Sequence, residues 1–102
     1  MTSLNCFSNE FLERCMNITK KHEQTRKWNI QAQILKIYEE VGEVHRAIIN
    51  EDIGNLKEEL VDVIFTLLTM YHKLGVKPLE IQQLTESTLL KIEQRVGIKE
   101  ND

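Results

Sequence analysis

The chain has 102 residues, 41% of them apolar (AVILMFWYC) and 28% charged, with thirteen basic against sixteen acidic side chains for a formal charge of -3. That size and balance describe one soluble domain and exclude disorder, a fibrous repeat and the basic surplus of a nucleic-acid binder. Four glycines and one proline are too few for the turns of an all-β sandwich or barrel, and no apolar run approaches the ~18–20 residues of a membrane span.

In chain order, residues 1–10 are polar and lack the apolar region of a secretory signal. Ser8 to His22 reads as the first helix, with Phe7, Phe11, Cys15, Ile18 and His22 on one face and Ser8 as its cap. Cys6 and Cys15 form neither a C-x-x-C pair nor a disulfide framework; they read as free thiols in a reducing cytoplasm. A basic cluster follows, then Trp28, and Asn29 is placed to cap the second helix, Ile30 to Asn50. In that helix Ile30, Ile34, Ile37, Val41, Val44 and Ile48 recur at spacings of 4, 3, 4, 3 and 4, a bundle-type stripe. Asn50 to Gly54 breaks it, and Asn55 with Glu58 has the spacing of a capping box for a third helix, Leu56 to Leu74. From Leu60 to Tyr71 that helix is apolar on nearly every face, the pattern of burial all round. In so small a chain, such burial calls for a second subunit. Gly75 ends the third helix, Lys77-Pro78 opens the last, Gly97 closes it, and 98–102 reads as a frayed tail. The expectation is a single all-α domain, a four-helix chain that completes its bundle as a dimer or tetramer.

The chemistry lies in the acidic residues. Glu40 and Glu43 are one pair of carboxylates three apart on the second helix; Glu59 and Asp62 are another on the third. A short connection makes the helices antiparallel neighbours and brings the two pairs level. Asp62 interrupts the apolar helix, and a buried lone carboxylate costs several kcal/mol unless paired or bound to a cation. Four carboxylates within ~5 Å repel by roughly 3 kcal/mol per pair at an effective dielectric near 20. A hard divalent cation, Mg²⁺ by preference and Mn²⁺ as an alternative, removes that repulsion. A plainer reading is a solvated acidic face, with Lys36 pairing Glu40 and Arg46 pairing Glu43. No histidine stands three residues after a Glu, which excludes the Glu-x-x-His pair of a di-iron bundle, and no P-loop, G-x-G-x-x-G or His-Glu-x-x-His occurs.

The run Lys36-Ile-Tyr-Glu-Glu-Val-Gly-Glu-Val44, followed by Glu58-Glu-Leu-Val-Asp62, resembles the signature of the MazG-like nucleoside triphosphate pyrophosphohydrolases: E-E-x-x-E, a variable spacer, then E-x-x-D. The spacer here is fifteen residues, Gly42 matches a frequent family glycine, and Val61 stands where many members have Gly or Ser. The resemblance covers roughly Trp28 to Arg95 and implies an all-α homodimer or homotetramer. It implies cleavage of a nucleoside triphosphate between the α and β phosphates, releasing monophosphate and pyrophosphate, in a nucleotide-pool cleansing role. No nucleic-acid polymer and no membrane are implied. Glu40, Glu43, Glu59 and Asp62 would hold Mg²⁺, which would neutralise phosphate charge and lower the pKa of a water. Glu39 would orient or deprotonate that water, or else is a solvated side chain. Lys36, Lys91 and Arg95 would bind outer phosphates, or else are surface cations, and Trp28 would stack on the base or pack as a lid. Two rivals stay open: a phosphoribosyl-ATP pyrophosphatase-like enzyme, and a non-catalytic helical oligomerisation module.

Overall fold

The computed structural model describes residues 7–25 and 29–98. They form four helices, α1 Asn9–Thr25, α2 Ile30–Ile49, α3 Ile53–Lys73 and α4 Pro78–Arg95, with no strand among the described residues. The all-α expectation is met. Cys6, Trp28 and residues 99–102 of the expected tail lie outside the described residues.

Local chemistry explains most helix ends. Ser8 caps α1, its Oγ accepting from the Phe11 amide at 3.1 Å. Beyond His22 the sequence holds neither glycine nor proline, so α1 continues to Thr25. Asn29 caps α2, its Oδ1 accepting from the Ala32 amide at 2.8 Å. Helix α3 starts at Ile53, three residues ahead of the expected Leu56. Asp52 is its cap, accepting from the Asn55 amide at 3.1 Å, so Asn55 sits inside the first turn and forms no capping box. The earlier aspartate supplies the same kind of oxygen, and Gly54 is carried within the helix at a cost of about 1 kcal/mol.

The α2–α3 connection is correspondingly tight. The Asp52 amide donates to Ala47 O at 3.0 Å and the Glu51 amide to Ile48 O at 3.1 Å, the paired bonds of a Schellman turn. Its left-handed position is Glu51, at φ 55°. A side chain there costs about 1–2 kcal/mol relative to the right-handed region. The matching position after α3 is Gly75, at φ 78°, where no such cost arises. Pro78 opens α4 in its first turn, as expected, where a missing N–H costs nothing.

Helix α2 lies along α3, α1 packs on α3, and α4 packs on α1. The closed core sits where α1, α3 and α4 meet: Leu12, Cys15, Leu68 and Ile81 are buried, with Phe7, Phe11, Tyr71 and Val76 against them. The Phe11 ring stacks on Phe7 at 5.3 Å and meets Phe65 at 5.8 Å. Gln82 Nε2 donates to Phe7 O at 2.9 Å and ties α4 to the start of the described chain.

The rest of the apolar surface is not covered within one chain. On α2 the buried column is Gln33, Glu40 and Ala47, not the isoleucine–valine stripe. Ile34, Ile37 and Val44 are half-buried, and Ile30, Val41 and Ile48 are exposed. On α3 only Leu68 is buried; Leu60, Val61, Ile64 and Leu67 face outward. Burial of α3 all round is therefore not achieved by this chain alone. Among the described residues no helix is long and apolar enough to cross a membrane.

Candidate active site

Glu40 and Glu43 stand on the second half of α2, and Glu59 on the first turns of α3. The tight turn at residues 50–52 folds these stretches against each other. One carboxylate oxygen from each of the three lies within 4.8 Å of the others. Glu40 is buried, with 7% of its surface exposed, while Glu43 and Glu59 are half-buried.

The electrostatics are unbalanced. Lys36 Nζ lies 3.1 Å from Glu40 Oε1 and 3.5 Å from Glu39, one cation among several carboxylates. The hydrogen bond to Glu40 is the main reason the Lys36 ammonium is held above its usual pKa. Glu59 is driven the other way from most carboxylates. A hydrogen bond shared with Glu43, then desolvation and the charges of Glu43, Asp62 and Glu40, raise its pKa from 4.5. Glu40 Oε2 and Glu59 Oε2 are both buried and have no hydrogen-bond partner among the described residues. A buried acceptor without a donor costs about 1–3 kcal/mol, and more when charged. Three converging carboxyl groups, two of which also carry a buried oxygen without a donor, match a hard divalent cation of the Mg²⁺ kind rather than a soft metal.

The other residues singled out in the sequence are placed differently. Asp62 lies one turn beyond Glu59, close enough to raise its pKa, but it is exposed and outside the group of three converging oxygens. The isolated chain leaves that side of α3 open, so the Asp62 carboxylate meets water and carries no burial cost. Glu39 is exposed and paired with Lys36. Lys91 and Arg95 are exposed near the end of α4, a helix that packs on α1 and not along the α2–α3 hairpin. Trp28 lies outside the described residues.

One participant was missed. Gln33 is buried, 1% exposed, and its Nε2 donates to Thr66 O at 2.7 Å, bolting α2 to α3 on the approach to the carboxylates. The signal was present as a seven-residue recurrence, Gln33, Glu40 and Ala47, beside the more conspicuous apolar stripe. Gly42, between the acidic residues, is exposed and has open space where a Cβ would stand.

No curated protein and no solved structure matches the chain. A family match does extend over residues 29–97, more than half of the chain, and it spans the α2–α3 hairpin with its three converging carboxylates. By that match the chain belongs to the MazG nucleotide pyrophosphohydrolase domain family.

Proposed function

We propose that the chain hydrolyses a nucleoside triphosphate between the α and β phosphates, giving nucleoside monophosphate and pyrophosphate, with Mg²⁺ (or Mn²⁺) as cofactor. The observation that carries this reading is the convergence of Glu40, Glu43 and Glu59 oxygens within 4.8 Å on a hairpin of the MazG nucleotide pyrophosphohydrolase type. Those three carboxylates are the ligands, and Asp62 joins them from the next turn of α3. When bound, the cation supplies charge neutralisation at the phosphate oxygens and an acidified water.

The protein's own groups do the rest. Lys36 sits beside Glu40 as the nearest cation for an outer phosphate. Glu39, held at 3.5 Å from Lys36, is the candidate to orient or take a proton from the attacking water. Lys91 and Arg95 reach the phosphates only from an α4 placed differently from that of the single chain, as a second copy would place it. The exposed apolar side chains of α2 and α3 support a homodimer or homotetramer, because Val41, Ile48, Leu60, Val61 and Leu67 each leave about half of their surface in water. A cytoplasmic enzyme that cleanses the nucleotide pool is the setting this chemistry fits.

The test is release of pyrophosphate and monophosphate from a panel of ribo- and deoxynucleoside triphosphates, with Mg²⁺ and with EDTA. We expect pyrophosphate only with Mg²⁺, lost in Glu43→Gln. Orthophosphate alone would place the cut at a different bond. Pyrophosphate from phosphoribosyl-ATP alone would select that narrower enzyme. No release from any substrate would leave a non-catalytic oligomerisation module.

A further inference from the structure

The acidic cluster has a cation of its own. Lys36 Nζ lies 3.1 Å from Glu40 Oε1, and Glu40 is buried, 7% exposed. The two residues are four apart on α2, so the contact is available as soon as that helix forms. The second contact of Lys36 is Glu39, at 3.5 Å, which is not one of the three converging carboxylates. Glu40 Oε2 is buried and has no hydrogen-bond partner among the described residues. Lys36 therefore satisfies one oxygen of a carboxyl group that also belongs to the converging set, and leaves the other unsatisfied.

A dication that enters the set meets this ammonium on a shared carboxyl group. Their repulsion is twice that of two unit charges at the same separation. Lysine is suited to give way. Its charge ends a flexible four-carbon stem, and it lacks the planar fork with which arginine grips a carboxylate in two places. It also has an alternative place. A cavity of about 230 Å³ opens between α1, α2 and α3, and Lys36 is one of its lining residues. No acidic side chain is among the described residues lining it, and His22, Gln33, Thr66 and Thr69 supply its polar groups. The Lys36 side chain is 38% exposed, so its ammonium stays within reach of water as the stem turns.

Resting on the metal-dependent reading of these carboxylates, we propose that Lys36 competes with the divalent cation for Glu40 and swings toward the mouth of the cavity when the cation binds. Toward the metal, Lys36 is a positioning residue whose charge opposes binding. Toward the substrate, it becomes available to a phosphate only once the cation has taken its place, so the metal loads first.

The experiment uses the full chain and the metal alone. Mn²⁺ binding is followed by the paramagnetic resonance of the free ion, and Mg²⁺ binding by competition. Lys36→Met keeps the stem and removes the charge, whereas Lys36→Arg keeps the charge; thermal melts in EDTA check that both are folded. We expect Lys36→Met to bind Mn²⁺ about tenfold more tightly than the wild type, and Lys36→Arg to stay within about threefold of it. A second readout follows the swing. Acylation of Lys36 by an amine-reactive ester, resolved by mass spectrometry against the exposed Lys21, should speed up severalfold when Mg²⁺ is added. A side chain that merely orients a metal ligand predicts the reverse, a loss of about 10–100-fold in metal affinity on Lys36→Met. That loss would overturn the inference and leave metal binding standing. Tighter binding with an unchanged rate of Lys36 acylation would overturn the swing, because the lysine would oppose the metal without leaving Glu40. No Mn²⁺ bound by any of the three proteins would instead strike the metal-dependent reading on which the inference rests.

Discussion

The two ends of α3 solve opposite problems. Its later half contributes Leu68 to a small closed core with Leu12, Cys15 and Ile81, where apolar contact joins α1, α3 and α4. Its first half carries Glu59 toward Glu40 and Glu43, where like charges converge and two carboxylate oxygens lack donors. One end lowers free energy by burial; the other gathers like charges, with Lys36 set beside Glu40 and the Glu59 pKa raised in response. The two connections share one turn geometry, the Glu51 and Asp52 amides bonding Ile48 O and Ala47 O as the Gly75 and Val76 amides bond His72 O and Tyr71 O, but the left-handed position is Glu51 at φ 55° beside the carboxylates and Gly75 beside the core.

The sharpest break of this comparison is Glu59→Gln. Turnover should fall by about 10³-fold, equivalent to roughly 4 kcal/mol of transition-state stabilisation. The metal-free protein should be no less stable, which thermal melts in EDTA will show. Unfolding of that variant at ambient temperature would mean that the acidic end is part of the structural core. Leu68→Ala should do the reverse, costing about 2–5 kcal/mol of stability through a cavity at the α1–α3–α4 junction. Denaturant titration measures it, and a loss below about 1 kcal/mol would show that this core is not what holds the chain.

Mg²⁺ should next raise the melting temperature of the wild type. At a hundredfold excess over Kd the stabilisation is about 2.7 kcal/mol, and Glu59→Gln should blunt it. An unchanged melting temperature with Mg²⁺ would detach the carboxylates from metal binding.

The two ends also titrate with opposite signs. Glu59 has a raised native pKa, chiefly through its hydrogen bond with Glu43, so the native state holds that proton longer than the unfolded chain. Its contribution is full below pH 4.5 and is lost as pH rises through the raised native value. His72, near the core end, is lowered from 6.5 by burial and by Lys20, so the native state prefers the neutral ring. Its contribution is full above pH 6.5 and is lost as pH falls through the lowered native value. Melts across pH in EDTA should show Glu59→Gln removing the first loss and His72→Gln the second. Profiles unaltered by either substitution would refute the assignment.

The smallest effect bears on the missing partner. Gly42 has open space for a Cβ within the chain, so Gly42→Ala should stabilise the monomeric fold by about 0.5–1 kcal/mol. If a second copy packs against that face of α2, the same change should weaken association in sedimentation analysis. Stabilisation with unaltered association would place the subunit contact elsewhere.

Much of this was legible in the residues. Helix periodicity, the Ser8 and Asn29 caps and the stops at Gly75 and Gly97 are local, so the chain's own pattern announces them. The spacing of Glu40, Glu43 and Glu59 likewise follows from helix geometry and one short turn. The start of α3 was harder, because Asp52 and Asn55 both offer capping oxygens and only the turn's own hydrogen bonds choose between them.

What the sequence determined by itself is the all-α class, the hairpin and the acidic signature, since each depends on neighbours a few residues apart. The tertiary structure alone decided which faces meet. It put Gln33, Glu40 and Ala47 inside α2 where the apolar stripe had pointed elsewhere, left Asp62 in water, and set Lys36 between the carboxylates and a cavity. Periodicity says that a helix has an apolar stripe but not what covers it. That depends on the angle at which helices cross and on surfaces supplied from far along the chain or from another copy.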